Sequence, residues 1–493
     1  MIEINWRPDR YIKESIHMQI VNYILQNIIS CTWKAGEQLP SQRKLAELFH
    51  VNRSTIVTAM DELASIGMIQ TMYGGGTVIS GNAWSVMLSH KQTNWEHYVN
   101  TGTFRRNLPE IQKINQYEYM PDIIRLGTGE PAPELFPRIL WQQALNTVAA
   151  NMQSMNYLEP KGLYELRSEI AARLSKKGIH TIPENILITS GSLQALQLIS
   201  VGMMPKGSKV FTEAPTYLKS LQLFPSAGMI LQGIPMDEEG IQYWFLPTKE
   251  IGRSILYTIP TNHNPTGVTM SVKRRNELLQ YCAKHQIPIV EDSAYDDLWM
   301  EEVPPPPLKA LDTSTMNQQA DSPDTNNNVV YLGTISKTLA PGLRIGWMVG
   351  PSMLIDRLSD IKMQMDYGAS SLAQWVLLEM FRSGSYDLHL NSLRKELLRR
   401  RDAALHALDV CFSELADWSI PQGGFYIWLR LRGNISIDSL FKKALEANIL
   451  VNPGNVYDFK SNHAIRLSFA YVDSNTFETA IKKLAHIAIS LQK

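Results

Sequence analysis

The chain is poor in the features that would place it outside an ordinary reducing compartment. Its three cysteines, Cys31, Cys282 and Cys411, lie far apart in an odd number, with no metal-type spacing. That argues against a disulfide framework or a cysteine-ligated metal, and it suits a cytoplasmic protein. No stretch approaches the roughly 18 uninterrupted apolar residues of a membrane span. The opening residues, MIEINWRPDR, lack the apolar core of a secretory leader. Net charge is absent too, with 47 basic residues against 47 acidic ones. No global attraction to nucleic acid is therefore available, and a DNA-binding reading has to come from local sequence.

What is present divides into regions of different character. At 493 residues, 44% hydrophobic and 19% charged, the chain has the length and composition of a multidomain globular protein. Residues 1–80 hold three helical patterns and a glycine-rich hairpin. The first helix is expected over roughly 12–31, with Ile16, Ile20, Tyr23, Ile24 and Ile28 at helical spacing. AGEQLPS reads as a turn, and Ser41 is a suitable N-cap for a second helix ending near Phe49. Asn52 is placed to cap a third, from Arg53 to about Ile66, which Gly67 stops. MIQTMYGGGTVI then reads as two short strands around a triple-glycine turn.

Residues 81–118 have weak periodicity and read as a linker with one or two docking helices. From 119 to 493 apolar strand-like runs alternate with helical ones, as in NILITSG followed by SLQALQLISVGMM and SILYTIP followed by VKRRNELLQYCAKH. This rhythm predicts an α/β domain with a mostly parallel sheet, helices on both faces, and a ligand at the carboxyl ends of the strands. The polar stretch between Lys309 and Val329 is expected to be a surface loop. A smaller C-terminal α+β subdomain is expected over roughly 386–493, opened by a long charged helix.

The second helix, tight turn, third helix and hairpin have the spacing of a winged helix-turn-helix. The run LPSQRKLAELFHVNRSTIVTAMDELASIGMI, followed by GGGTV, resembles the GntR family of regulators. The resemblance implies that Ser41, Arg43, Arg53 and Thr55 meet double-stranded promoter DNA, and that Gly75 within Gly74–Gly76 brings the wing backbone against it. Met72 departs from the basic residue usual before those glycines. Residues 1–80 also balance seven Lys/Arg against seven Asp/Glu, so modest non-specific affinity is expected.

In the larger region, Lys337 follows the apolar run NVVYLG, where ordinary solubilising lysines are uncommon. A lysine fixed at a strand end inside a cleft can form a Schiff base. If its partner is pyridoxal phosphate, each remaining requirement has a candidate. ITSGSLQAL places Ser190, Gly191, Ser192 and Leu193 where a strand opens a helix, so backbone N–H groups can hold a phosphate. Ser336 and Arg344 flank the lysine and can complete that cradle. Asp292, in IVEDSAY, can keep the pyridine nitrogen protonated, and Tyr295 can reach the ring oxygen. Asn264 in TNHNPTG is a second donor to that oxygen, and Tyr217 in EAPTY offers a stacking face. His263 is given no role, and no metal site is expected.

With GSLQAL, EAPTY, NPTG, EDSAY and SKTLAPGLRIGW in this order, residues 120–490 resemble the fold-type I, aspartate aminotransferase-like PLP-dependent transferases. The resemblance implies that Lys337 is the aldimine lysine, with Asp292 and Tyr217 beside it in the catalytic set. It further implies that Tyr157 reaches the phosphate of the neighbouring subunit, that Arg466 binds a substrate α-carboxylate, and that Gly129 lines that pocket. A winged helix-turn-helix followed by such a domain resembles the MocR subfamily of GntR regulators from end to end. This implies a head-to-tail homodimer that senses PLP or a small amino compound through Lys337. An active aminotransferase carrying a DNA-binding appendage, and a pure sensor of PLP, remain the alternatives.

Overall fold

The structure is a computed structural model that describes residues 4–12, 14–30, 32–72, 76–80, 95–248, 252–316, 328–460 and 463–492. The chain forms two compact units, 1–102 and 103–493. Among the described residues, no helix is long and apolar enough to cross a membrane.

In the first unit the helices are α1 (Ile16–Ile29), α2 (Gln42–Phe49) and α3 (Arg53–Ser65). Helix α1 starts four residues later than its periodicity suggests. The buried amide of Gln19 takes up the backbone of the preceding segment, donating to Asp9 O and Glu14 O and accepting from Asp9 N, which holds that segment as a loop. Ser41 caps α2 by accepting from Lys44 N at 3.3 Å. Asn52 stands before α3, but its side chain makes no capping bond. Ile20, Ile24, Leu45, Phe49, Ile56 and Leu63 share one core, which fixes α3 against α1 and α2.

The wing strands β1 (Ile69–Met72) and β2 (Gly76–Ile79) pair antiparallel, Ile69 opposite Ile79. The AGEQLPS stretch is more than a turn. Gln38 forms a single antiparallel bridge with Val78, and Leu39 N donates to Thr77 O at 2.9 Å, which ties this turn to the wing. Helix Trp95–Thr101 follows in this unit, within the stretch 81–118 read from sequence as a linker with one or two docking helices.

The second unit opens with helix Pro109–Tyr117 and β3 (Ile124–Arg125). Its main sheet contains β4 (Ile186–Thr189), β5 (Lys209–Ala214), β6 (Ile230–Asp237), β7 (Gly240–Ile241), β8 (Ser254–Thr258), β9 (Ile289–Asp292), β10 (Val329–Thr334) and β11 (Gly346–Val349). The spatial order is β4-β11-β10-β9-β8-β5-β6-β7, with β11 and the edge strand β7 antiparallel to their neighbours. Strands β4, β8, β9 and β10 are buried at every residue, as expected for a sheet covered on both faces. Neighbouring Ile289 and Val290 accordingly point into different apolar cores.

The stretch after Lys309 is not wholly a loop. Helix Leu308–Met316 occupies its start, because the N–H groups of Leu308 and Lys309 donate to the buried Glu291 carboxylate at 2.8 and 2.9 Å. An anion at a helix N-terminus stabilises that first turn.

The smaller subdomain follows the 28-residue helix Ser385–Phe412. Strands β12 (Ala416–Trp418), β13 (Tyr426–Leu431), β15 (Asn452–Pro453) and β16 (Ala464–Ser468) form an antiparallel sheet in the order β12-β13-β16-β15. Strand β14 (Ile449–Leu450) pairs in parallel with β3, so the segment entering this unit is fastened to the small subdomain.

Candidate cofactor and ligand site

The site lies at the carboxyl ends of the central strands. Leu332 of β10 pairs with Asp292 at the end of β9, so the turn carrying Lys337 lies beside the acid. Asp292 is buried and accepts from Tyr257 Oη at 2.7 Å and from Ala294 N at 3.2 Å. Burial raises its pKa above the ordinary value, and the Tyr257 hydrogen bond is the main effect opposing this. Lys337 Nζ donates to Gly129 O at 2.6 Å.

The proposed cradle forms where β4 turns into helix Ser192–Gly202. Gly191 has φ +84°, and a Cβ there would sit 2.8 Å from Arg344 Nη2. Glycine thus lets the guanidinium come against the turn. Arg344 is exposed, lies in the left-handed region and donates through Nη2 to Ser190 O at 2.8 Å. Ser192 begins the 11-residue helix, whose first N–H groups lack intrahelical partners. The Leu193 side chain is exposed, so its backbone is the part suited to an anion. Ser336 is buried and accepts from Thr334 Oγ1 at 3.0 Å. Tyr217 starts a short 3-10 turn, is half-buried, and its N–H donates to Asn264 O at 3.0 Å.

On the other side, Arg466 of β16 is buried and donates to Asn264 Oδ1 at 2.8 Å and to Gly127 O at 2.7 Å. Its guanidinium lies 4.0 Å from the Tyr426 ring centroid and 4.8 Å from that of Tyr457. Its Nε is buried without a hydrogen-bond partner among the described residues. Such an orphaned donor on a caged cation suits an anionic group. Because Asn264 accepts through Oδ1, its Nδ2 remains to donate. Tyr295 Oη lies 2.9 Å from Tyr426 Oη. A Cβ at Gly129 would be 2.5 Å from that Tyr426 oxygen, which explains the absence of a side chain there.

Tyr257, Tyr426, Tyr457 and Asn452 escape the sequence reading. Tyr257 sits in the apolar run SILYTIP and acquires meaning only through Asp292 on the next strand. Tyr426 and Tyr457 belong to GGFYIW and NVYDF, which read locally as strand or turn. Asn452 donates to Tyr457 Oη at 2.7 Å and so fixes one wall around Arg466.

Tyr157 is not gathered into this set. It is 83% exposed, with its ring centroid 4.9 Å from that of Tyr367. His263, next to Asn264, is buried with Nδ1 2.8 Å from Thr266 Oγ1. Burial pushes its pKa down to about 3, so the neutral ring forms no ion pair with Glu213 Oε2 at 3.9 Å.

In the first unit, Arg53 is exposed at the start of α3 and Thr55 is half-buried one turn in. Arg43 is exposed, with Nε 3.8 Å from Glu47 Oε1. Gly75 lies outside the described residues.

Residues 121–484 match the family "aminotransferase class I and II", and residues 17–79 match "bacterial regulatory proteins, gntR family". The HTH-type transcriptional regulator YisV of Bacillus subtilis is 45% identical over 98% of both chains. NorG, an HTH-type transcriptional regulator of Staphylococcus aureus, is 32% identical over 91% of this chain and 98% of its own. Among solved structures, the kynurenine aminotransferase of Pyrococcus horikoshii, in complex with PMP, superposes with a TM-score of 0.72. It is 32% identical and covers 82% of this chain and 98% of its own.

Proposed function

The chain belongs to the regulators that join a gntR-type DNA-binding domain to an aminotransferase-like, pyridoxal phosphate-binding domain, the MocR arrangement, and we propose that it reads its signal as a small amino compound at Lys337. The observation that carries this reading is the orphaned, caged Arg466 facing a site whose other residues suit a phosphorylated pyridine aldehyde. The glycine cradle beside Arg344 fits a phosphate, and the buried Asp292 fits a protonated ring nitrogen.

When bound, pyridoxal phosphate supplies an aldehyde that combines reversibly with amines and a ring that withdraws electrons. In this reading Lys337 is the covalent attachment point, and Asp292 keeps the ring nitrogen protonated. Asn264 Nδ2 and Tyr295 Oη address the ring oxygen. Tyr217 stacks on the ring. Backbone N–H groups of Gly191, Ser192 and Leu193, with Ser336 and Arg344, hold the phosphate, and Arg466 holds the carboxylate of the incoming amino compound beside Gly129. In the first unit Ser41, Arg43, Arg53 and Thr55 face promoter DNA.

The exposed Tyr157 supports a head-to-tail homodimer in which it reaches the neighbouring subunit's phosphate. It borders an open groove of about 520 Å³ between helices Arg138–Asn151 and Ser371–Arg382, lined by Val148, Met152, Leu158 and Trp375. Sedimentation of the full chain checks this, and a monomer at micromolar concentration would refute it.

The regulatory reading is tested by footprinting DNA upstream of the protein's own gene, with cofactor-loaded protein and a panel of amino acids. Protection that an amino acid alters, and that Lys337→Ala no longer transmits, is the expected result. No protection in that region would overturn it. The second reading, an active aminotransferase, is favoured by the intact Arg466–Asn264 pair. Repeated turnover with an amino acid and a 2-oxo acid would establish it.

A further inference from the structure

The short segment Gly127–Thr128–Gly129 presents alternating groups to two different places. The carbonyl of Gly127 accepts from Arg466 at 2.7 Å, and that of Gly129 accepts from Lys337 at 2.6 Å. Thr128, between them, is 3% exposed and turns away from both, donating through Oγ1 to Glu118 Oε1 at 2.6 Å. Glu118 is half-buried at the C-terminal end of helix Pro109–Tyr117. That helix touches the site a second time, through Ile111, which packs against Trp428, Val456, Tyr457 and Ala464. Tyr457 is itself one wall of the Arg466 cage.

The segment has little freedom to absorb a change locally. Leu126 N donates to Leu450 O at 2.9 Å and Ser468 N donates to Leu126 O at 2.6 Å, which fastens its leading end to the small subdomain. The Asn452 side chain leaves no space for a Cβ at Gly127, and Tyr426 Oη leaves none at Gly129. The Thr128–Glu118 hydrogen bond ties the middle of this segment to the helix before it. In the sequence, helix Pro109–Tyr117 begins seven residues after the end of the DNA-binding unit.

We propose that Glu118 is a positioning residue, holding the Gly127–Gly129 segment through Thr128 so that occupancy at Lys337 and Arg466 is passed to helix Pro109–Tyr117. This inference rests on the reading that the site binds pyridoxal phosphate. Attachment of the cofactor would leave Lys337 Nζ fewer hydrogens to give Gly129 O, so loading would bear on the segment. Ile111 seats the helix against Tyr457 and its neighbours, and Glu118 is the polar tie through which a shift of the segment reaches it. Physical contiguity of this kind becomes coupling only when breaking the link uncouples the ends.

Hydrogen–deuterium exchange of the full-length chain, with and without pyridoxal phosphate, provides the test. Cofactor absorbance is recorded in parallel. Loading is expected to change exchange in residues 126–132 and also in 108–118. In Glu118→Ala and in Thr128→Val the change in 126–132 is expected to remain, while that in 108–118 is lost. Glu118→Gln, which keeps an oxygen acceptor for Thr128, is expected to behave as wild type, a rescue that general destabilisation would not produce. Should Glu118→Ala fail to fold, Thr128→Val carries the same comparison. Bound cofactor with no change in 108–118, or a change that survives both breaking variants, overturns the inference. Absence of cofactor absorbance at any concentration instead refutes the reading on which it rests.

Discussion

Arg466 and Asn264, 202 residues apart in sequence, meet in a buried hydrogen bond of 2.8 Å from Nη1 to Oδ1. The bond joins β16 of the small subdomain to the NPTG turn of the large one, and it divides the labour of both side chains. The Asn264 oxygen accepts from the arginine, which in the proposed reading leaves its amide hydrogens for the cofactor. Arg466 Nε has no hydrogen-bond partner among the described residues, and the proposed reading gives it to a ligand.

Replacing Arg466 by alanine should therefore discriminate between ligands. Hydrogen bonds to a charged group contribute about 1.5–3 kcal/mol, so an amino acid is expected to bind roughly 10- to 150-fold more weakly. A simple alkylamine should lose little, because it offers no carboxylate. Spectral titration of the cofactor-loaded variant checks this, and equal losses for both ligands would remove the carboxylate role.

Tyr257→Phe isolates the support of Asp292. The phenol donates to Asp292 Oδ2 at 2.7 Å within a buried environment, and its loss leaves that oxygen without this donor. The cost is expected to be about 0.5–1.5 kcal/mol, seen as a roughly 2- to 12-fold weaker affinity for pyridoxal phosphate. The expected partner effect is an increase in the Asp292 pKa, since the Tyr257 bond is the main influence lowering it. Unchanged cofactor affinity across the pH range would count against Tyr257.

Arg53 opens the recognition helix and is exposed there. If it neutralises one phosphate, Arg53→Ala should weaken binding to all DNA sequences alike and lower the salt slope by about 1. A loss confined to one base position, with the slope intact, would make it a base reader instead. Affinity measured over a range of salt concentrations separates the two.

Glu213 supplies a pH-dependence. It is 1% exposed, and burial pushes its pKa up to about 7 from 4.5 despite the Ile259 N–H donating at 3.1 Å. The folded protein thus holds this proton more tightly than the unfolded chain does. Its contribution is fully present below about pH 4.5 and is lost as pH rises through 7. The loss is on the order of 3 kcal/mol. Glu213→Gln lacks this titration, so it should gain stability relative to wild type between pH 4.5 and pH 8. Urea unfolding at the two pH values checks it, and a constant difference would place the Glu213 titration elsewhere.

Much of this was accessible from residue order alone. Ser190–Leu193, Asp292, Lys337 and Arg344 stand at strand-to-helix or strand-to-loop junctions, where local patterning already says which end of a strand a residue occupies. The three helices and hairpin of the first unit are likewise local, since each is set by its own periodicity, caps and turn residues. Where the structure departs from local pattern, a tertiary partner wins the competition for the backbone. Gln19 captured the backbone before α1, and Glu291 nucleated a helix in a polar stretch that had read as loop.

The amino-acid sequence by itself determined the division into a gntR-type unit and an aminotransferase-like unit, and it placed Lys337, Asp292 and Ser190–Leu193 at the ends of strands. Each of those depends on neighbours within a few residues. Only the tertiary structure decided what surrounds Arg466, which donor supports Asp292, and that Thr128 looks toward Glu118. Those relationships join residues brought together by strand order and by packing of the small subdomain on the large one, and no periodicity in the chain encodes a side chain's distant partner.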